Sequence, residues 1–323
     1  MQSDSIIAIA GPTASGKSAV ALKVAQLARA HGVEIEIISM DSALPYRGMD
    51  IGTAKPSPEE LQEFIHHGIN ICEPEETYSA AKFANDAKRW IQEIQARGHI
   101  PLIVGGTMLY WRALAHGLSN LPTSDPAIRE DIAVQAQERG WPAMHDELTA
   151  IDPETAQRLQ KNDAQRISRA LEVFRQTGQP MSAWLRAEPK STGRHDDAQN
   201  LEFRLITLEP SDRKWLHQRI EQRFNLMLEQ GFMDEMKALH ANPLLHPNLP
   251  SMRAVGYRQG WEYLDGKIDW ETFKEQGIAA TRQLAKRQLT WLRAIHQKET
   301  FDPINADELQ TCCEVCLAHC HIV

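Results

Sequence analysis

The sequence lacks an apolar run long enough to cross a lipid bilayer. Its N-terminal segment also lacks the basic stretch and the long apolar core of a secretory signal peptide. We therefore expect a cytoplasmic protein that has no contact with a membrane.

Basic residues are in the minority. The chain has 35 lysines and arginines against 43 aspartates and glutamates, for a formal net charge of -8. Taken alone, this balance argues against a nucleic-acid partner. A phosphate backbone responds to the local arrangement of charge, however, so the distribution matters more than the total.

Cysteine is scarce in the body of the chain, where Cys72 stands alone. The remaining cysteines crowd the C-terminal tail, at Cys312, Cys313, Cys316 and Cys320. Disulfides are not expected in a reducing compartment. His319 and His321 lie among these cysteines, so the tail has ligands suited to zinc, although no second ligand pair follows at zinc-finger spacing. The alternative is a terminal segment with inert thiols.

The chain is long enough for one large domain or two smaller ones, with 323 residues of which 42% are hydrophobic. Its first third alternates strands and helices. The predicted strands are Ile6–Ala10, 34–40, 100–104 and, much later, Phe203–Leu208. The predicted helices of this part are Lys17–Ala30, 56–67 and 79–97. This order predicts an α/β fold with a parallel sheet flanked by helices.

The middle of the chain has no convincing strand pattern. Residues 121–126 look like a linker, and helical patterns follow at 128–139, 144–150 and 164–176, the last ending at Gly178. Residues 189–197 again look like a loop. We interpret residues 121–197 as a helical insertion into a core formed by residues 1–120 and 198–323, whose last part is mostly helical.

The loop after the first strand matches the P-loop pattern in full, reading Gly11-Pro12-Thr13-Ala14-Ser15-Gly16-Lys17-Ser18. Its backbone N–H groups and the N-terminus of the next helix form a site for an anion. Lys17 adds a positive charge, and the Ser18 hydroxyl is a ligand for Mg²⁺ on the phosphate oxygens. The pattern predicts a bound polyphosphate. It leaves open whether the protein is a kinase, an ATPase or a transferase that releases diphosphate.

Two further strands end in polar residues. The second strand is followed by Asp41-Ser42-Ala43-Leu44, and the third by the pair 105–106 and Thr107. Because the carboxyl ends of parallel strands line the ligand crevice, we expect Asp41 near the phosphate cradle. A turn or helix cap is the alternative role for Asp41, and a structural turn is the alternative for Thr107.

Two segments are locally basic. Residues 157–169 include four basic residues and one acid, and residues 281–293 have no acid at all. On a helical wheel Arg282, Lys286 and Arg293 share a narrow arc beside an apolar stripe. Such a face either contacts phosphates or is simply solvated.

Seven blocks of sequence, in order, carry a family resemblance. They are residues 11–18, 41–44, 48–56, 105–110, 165–172, 253–258 and 286–293. Together they resemble the tRNA dimethylallyltransferases. The resemblance implies a P-loop kinase-like core with a mobile helical insertion. The cysteine-rich tail lies outside it.

The resemblance also implies a reaction. Dimethylallyl diphosphate would donate its five-carbon group to N6 of adenine 37 in the tRNA anticodon stem-loop, and diphosphate would leave with the help of Mg²⁺. Asp41 is the expected general base, and Thr107 would bind the adenine or orient Asp41. Lys17 and Arg223 are expected to stabilise the leaving diphosphate, although a solvated arginine is the alternative for Arg223.

The matching blocks and one arginine of the insertion are further expected to contact tRNA. These residues are Asp41, Ser42, Ala43, Leu44, Thr107, Arg129, Gln165, Arg166, Ile167, Ser168, Arg169, Arg253, Arg258, Arg282, Lys286, Arg287 and Arg293. The target base lies in a loop and must leave its stack to reach a buried crevice. We expect a monomer.

Three other functions fit the P-loop. A small-molecule or nucleotide kinase would consume ATP. An adenylate prenyltransferase would share the donor but use a free nucleotide, for which the basic segments and the insertion have no evident use. A P-loop RNA-binding or switch protein without chemistry would leave Asp41 and Thr107 unexplained.

Overall fold

A six-stranded parallel sheet forms the centre of the larger unit of the chain, in the strand order β3-β2-β4-β1-β5-β6. The computed structural model describes residues 5–118, 121–187 and 201–322. The strands are β1 Ile6–Ala10, β2 Ile35–Met40, β3 His66–His67, β4 Ile100–Gly105, β5 Phe203–Leu208 and β6 Glu299–Phe301. The predicted α/β class with a parallel sheet is confirmed.

Helices cover both faces of the sheet, and the first strand shows why. Ile7 and Ile9 pack with the helices of residues 17–30 and 306–319 on one face, whereas Ala8 and Ala10 pack with the helix of residues 80–96 on the other. Successive side chains of a strand point to opposite faces, so a strand buried on both faces is apolar throughout. The helices that belong with the sheet are α1 Lys17–Ala30, α2 Pro58–Glu63, α3 Ala80–Ala96, α4 Met108–His116, α10 Arg213–Glu229, α11 Phe232–His240, α12 Tyr257–Leu264, α13 Trp270–Arg293 and α14 Ala306–His319.

A second, helical unit has its own core. Its helices are α5 Pro126–Arg139, α6 Trp141–Ile151, α7 Pro153–Gln157, α8 Ala164–Thr177 and α9 Met181–Ala187. Ile132, Met144, Leu148 and Ile167 are fully buried in this core. The chain divides into Met1–Ala115 with Asp197–Val323, and His116–Asp196.

Two short strands were missed by the sequence analysis, and one predicted helix is wrong at its end. The helix predicted over 56–67 begins in a capping box at Ser57 but ends at Glu63. His66 and His67 instead pair with Ile37 and Ile38 of β2. Strands of two or three residues, such as β3 and β6, are too short to show a period, which explains both misses.

The cysteine-rich tail is part of the core. It forms α14, and all four of its cysteines are buried against the α1 side of the sheet. Within residues 5–118, 121–187 and 201–322, no group of three or more His, Cys, Asp or Glu side chains is arranged to hold a metal ion. Among the same residues, no helix is long and apolar enough to cross a membrane. The predicted loop at 189–197 lies outside the described residues.

Candidate active site

A cavity of about 160 Å³ opens where β1, β2 and β4 end. It is lined by the loop after β1, by Asp41 after β2 and by Gly105 at the end of β4. Helices α10 and α13 contribute further walls through Arg223 and Gln288. One part of the lining is charged. The other part is apolar, with Phe224, Met227, Phe232 and Tyr257.

The loop of residues 11–18, here called the phosphate loop, turns sharply between β1 and α1. Ala14 has φ 63° and Gly16 has φ 94°, so both adopt the left-handed region of backbone space. Helix α1 begins at Lys17 without a side-chain cap and without an acidic residue in its first turn. The N–H groups at this helix start are therefore suited to bind an anion.

Two desolvated cations lie at this loop. Lys17 is part of it, and Arg223 lies beside it. Burial lowers the pKa of Lys17 to about 8, while the Asp41 carboxylate opposes the shift and Arg223 adds to it. Burial also lowers the pKa of Arg223, again against the attraction of Asp41. The net lowering shows that one carboxylate does not compensate two half-buried cations. An anion bound here would supply the missing negative charge.

Asp41 faces the same cavity from the end of β2. Its Oδ1 accepts a hydrogen bond from the Ala43 N–H at 2.8 Å, which fixes the carboxylate in a tight turn. The Thr107 hydroxyl accepts from the Ser42 N–H at 3.1 Å, so the ends of β2 and β4 are tied together next to Asp41. Ala43 and Leu44 also line the cavity, whereas Ser42 is exposed. The structure thus brings Lys17, Asp41 and Arg223 together, with Thr107 supporting the turn.

A long loop over residues 46–56 forms another wall, because Gly52, Thr53 and Ala54 line the cavity. Glu235 of α11 holds this loop from outside. Its carboxylate accepts hydrogen bonds from the N–H groups of Asp50, Ile51 and Gly52 at 2.8, 2.7 and 3.1 Å. The Tyr257 hydroxyl donates to the same carboxylate. The sequence analysis missed Glu235, since nothing in its local pattern distinguishes it from a solvated helix acid.

The other side of this loop is held by Lys55, whose side chain is buried. Its ammonium group donates to the Tyr46 carbonyl at 2.8 Å, to Asn70 at 2.6 Å and to Asp50 at 2.5 Å. Gly52 is packed so closely that an added Cβ would lie 2.2 Å from the Phe232 ring. The backbone of this wall is therefore held on both sides by side chains of the protein itself.

The basic residues of α13 are mostly on the surface. Lys286, Arg287 and Arg293 are exposed, while Arg282 is half-buried and pairs with Glu221 at 2.8 Å. Arg253 and Arg258 are also exposed. A face of this kind is available to a polyanion, although Arg282 would first have to leave Glu221.

Only some of the residues of the helical unit that were predicted to contact tRNA are exposed. Arg129, Gln165 and Arg166 are exposed. Ile167 is fully buried in the core of the unit, so its side chain is not available for the predicted contact, because helix periodicity turns it inward. Ser168 is half-buried.

Arg169 is held inside the same unit. It donates to the buried Glu172 at 2.9 Å and to the Pro122 carbonyl. Glu172 also accepts from the Asp125 N–H, so Arg169 belongs to a network that fixes the start of the unit.

The sequence matches a family model and several known proteins. Residues 44–295 match the family model "IPP transferase". The chain is 55% identical over 311 residues to a tRNA dimethylallyltransferase of Polynucleobacter necessarius, covering 96% of this chain and 93% of that protein. It is 56% identical over 304 residues to a tRNA dimethylallyltransferase of Cupriavidus taiwanensis, covering 94% and 92%.

Solved structures resemble the whole chain. The tRNA isopentenylpyrophosphate transferase of Bacillus halodurans superposes with a TM-score of 0.67 at 33% identity, covering 98% of this chain and 97% of that one. A eukaryotic dimethylallyltransferase acting on tRNA superposes with a TM-score of 0.76 at 26% identity, covering 98% and 78%. The likeness therefore extends over both units.

Proposed function

This chain belongs to the IPP transferase family, and on that premise we propose that it is a tRNA dimethylallyltransferase. It transfers the dimethylallyl group of dimethylallyl diphosphate to N6 of adenine 37 in tRNA and releases diphosphate. The observation that supports this most is one cavity with three chemically distinct parts. It combines half-buried cations at Lys17 and Arg223, a carboxylate at Asp41 and an apolar wall that includes Phe232 and Tyr257.

Each part suits one moiety of the reactants. The phosphate loop, Lys17 and Arg223 bind the diphosphate and stabilise the charge that builds on the leaving oxygen. The apolar wall binds the prenyl chain and excludes water from the allylic carbon. The acceptor adenine enters beside Asp41, where Ala43 and Leu44 also line the cavity.

The bond changes balance with these residues alone. A bond forms between N6 of adenine and C1 of the dimethylallyl group, while the bond from C1 to the diphosphate oxygen breaks and its electron pair stays on that oxygen. The proton lost by N6 passes to the Asp41 carboxylate as general base.

Magnesium fits the same site as a partner of the diphosphate. Ser18 and Asp41 line the cavity, and an oxygen-rich set shared between one or two side chains and substrate phosphates is typical of Mg²⁺. Ser18 would hold the ion, which would neutralise charge on the diphosphate. The described residues offer no protein cage of three or more His, Cys, Asp or Glu side chains for a metal.

The exposed basic residues of α13 and the helical unit are proposed to bind the anticodon stem-loop through its phosphates. In the sheet unit the phosphate contacts are made by Lys286, Arg287 and Arg293. In the helical unit they are made by Arg129 and Arg166. Affinity for tRNA should then fall steeply with added salt. We further propose that the protein works in the cytoplasm as a monomer.

One incubation tests the function. Purified protein, Mg²⁺, dimethylallyl diphosphate and total tRNA are combined, and the digested nucleosides are analysed by mass spectrometry for N6-dimethylallyl adenosine. Replacing tRNA by AMP tests the adenylate prenyltransferase, and labelled ATP without a prenyl donor tests the kinase. Prenylated AMP, or labelled ADP with no prenylated tRNA, would reject the proposal.

A further inference from the structure

The side-chain amide of Gln288 links two segments of the active site. Its Oε1 accepts a hydrogen bond from the Thr13 N–H at 2.8 Å, and its Nε2 donates to the Gly106 carbonyl at 2.9 Å. The side chain is 8% exposed and also lines the cavity. Helix α13 thereby connects the phosphate loop to the residue that follows β4.

The hydrogen bond to Thr13 comes just before a strained residue of the loop. Ala14 has φ 63°, a left-handed conformation that costs free energy for any residue except glycine. On its other side, Arg219 Nε donates to the Ala14 carbonyl at 3.0 Å. The Ala14 side chain packs with Ile220 and Ala285. Such a conformation persists only when its surroundings fix it, and Gln288 is one of these supports.

The glycine at position 106 makes room for this amide. A Cβ added to Gly106 would lie 2.4 Å from Gln288 Nε2 and 3.0 Å from the Gly11 carbonyl. Any side chain at this position would therefore displace the amide or push β4 away from the phosphate loop. Because Gly11, Gly106 and Gln288 approach each other so closely, glycine is needed at position 106, directly after β4.

We propose that Gln288 is a positioning residue for the donor diphosphate, an inference that rests on the proposed function. By holding the Thr13 N–H, it fixes the phosphate loop in the shape in which the following N–H groups and Lys17 face one centre. An amide is required because one end must accept and the other must donate. Neither a hydrocarbon nor an ionised carboxylate can do both.

Three variants test this role. Gln288→Leu removes both hydrogen bonds, and Gln288→Glu keeps the acceptor but loses the donor when the carboxylate is ionised. Gln276→Leu is the matched control, because Gln276 lies exposed on the same helix. For each protein we would measure affinity for inorganic diphosphate with Mg²⁺ by calorimetry, KM and kcat for dimethylallyl diphosphate, tRNA affinity and melting temperature.

We expect Gln288→Leu to weaken diphosphate binding about tenfold and to raise KM for the donor by a similar factor. The tRNA affinity of Gln288→Leu and every property of the Gln276→Leu control should stay at wild-type values, whereas the melting temperature of Gln288→Leu should fall, because the Thr13 N–H and the Gly106 carbonyl lose their partner. A merely structural role predicts instead that tRNA affinity falls together with diphosphate affinity. That result would overturn the proposal, as would wild-type diphosphate affinity in Gln288→Leu.

The glutamate variant adds a signature that a structural role would not produce. A protonated carboxyl group accepts and donates like the amide, so Gln288→Glu should recover diphosphate affinity relative to wild type between about pH 7.5 and about pH 5.5. Gln288→Leu adds no charge to the cavity, so its ratio to wild type is the reference for Gln288→Glu. The ratio for Gln288→Leu should stay flat, and a flat ratio for Gln288→Glu would contradict the proposal.

The two proposals fail separately. Wild-type protein that binds diphosphate but does not prenylate tRNA would reject the proposed function. The diphosphate measurements on Gln288→Leu and Gln288→Glu would still decide whether this amide positions the phosphate loop.

Discussion

The two sides of the cavity differ in how well their charged groups are compensated by the protein. The phosphate side consists of the phosphate loop with Arg223, and the loop side consists of residues 46–56 with Glu235 and Lys55. On the phosphate side, burial lowers the pKa of Lys17 and of Arg223, because Asp41 alone does not compensate them. On the loop side, the Glu235 carboxylate has three backbone N–H groups and a phenol as partners. Lys55 is likewise surrounded by three oxygens.

This difference separates binding from support. A buried charge without sufficient partners favours a ligand of opposite charge, whereas a fully bonded charge holds backbone in place. The phosphate side should therefore respond to mutation through ligand affinity and chemistry. The loop side should respond through the shape of the apolar wall and through stability.

The largest effect is expected at Asp41. Asp41→Asn removes the proton acceptor but keeps the shape, so kcat should fall at least about a hundredfold while tRNA still binds. Single-turnover prenylation and a tRNA binding assay measure the two quantities. Near-normal turnover in this variant would remove Asp41 from the role of base.

Glu235→Gln should have the next largest effect, although it lies outside the cavity. The amide cannot accept from three N–H groups and the Tyr257 hydroxyl as a carboxylate does, so residues 50–54 lose their anchor. We expect kcat/KM for the donor to fall about thirtyfold, together with a lower melting temperature. Asp234→Asn is the control, because Asp234 is an exposed neighbour on the same helix. If Glu235→Gln and Asp234→Asn changed kcat/KM and melting temperature equally, Glu235 would not be the anchor of the loop side.

The pH dependence of diphosphate affinity should show that Lys17, on the phosphate side, binds the ligand as a cation. With a pKa of about 8 in the free protein, Lys17 is charged below that pH and neutral above it. Bound diphosphate raises this pKa, so affinity is full below pH 8 and falls about tenfold per unit as pH rises above it.

Calorimetry between about pH 7 and about pH 9 measures this fall, and Lys17→Arg binds the same diphosphate, so it accounts for the ionisation of the ligand. Lys17→Arg keeps its charge over this range and should remove the fall. A fall of the same size in Lys17→Arg would assign the titration to another group.

The same comparison shows what the sequence could predict. Lys17 and Asp41 could be located from sequence, because one lies in a contiguous motif and both follow apolar runs that read as parallel strands. Thr107 could be located by the same reasoning, because it follows the next predicted strand. Its hydroxyl accepts a hydrogen bond from Ser42 in the turn after Asp41.

Glu235 and Gln288 could not be assigned a role in this way. Their hydrogen bonds with backbone groups reach residues that are more than 180 positions away in the chain, so no local period or motif records them. Ile167 stands in a basic segment, but the packing of its own helix buries its side chain, which the local charge pattern does not show. Chemistry at strand ends is encoded locally, whereas the supports of the site are encoded by tertiary packing.

The smallest effect is expected from Tyr257→Phe, which removes one of the four donors to Glu235 and leaves the three backbone bonds. Burial, and then the charge of Glu235, raises the pKa of Tyr257 well above its usual value, so the phenol remains a neutral donor throughout the working range. Losing one such bond should cost about 1 kcal/mol, or about fivefold in kcat/KM for the donor. The defect should be milder than in Glu235→Gln, and the double variant should add little to Glu235→Gln alone, because both act through one carboxylate. Fully additive effects in that cycle, measured on kcat/KM, would mean that Tyr257 acts on the prenyl chain directly and not through the loop.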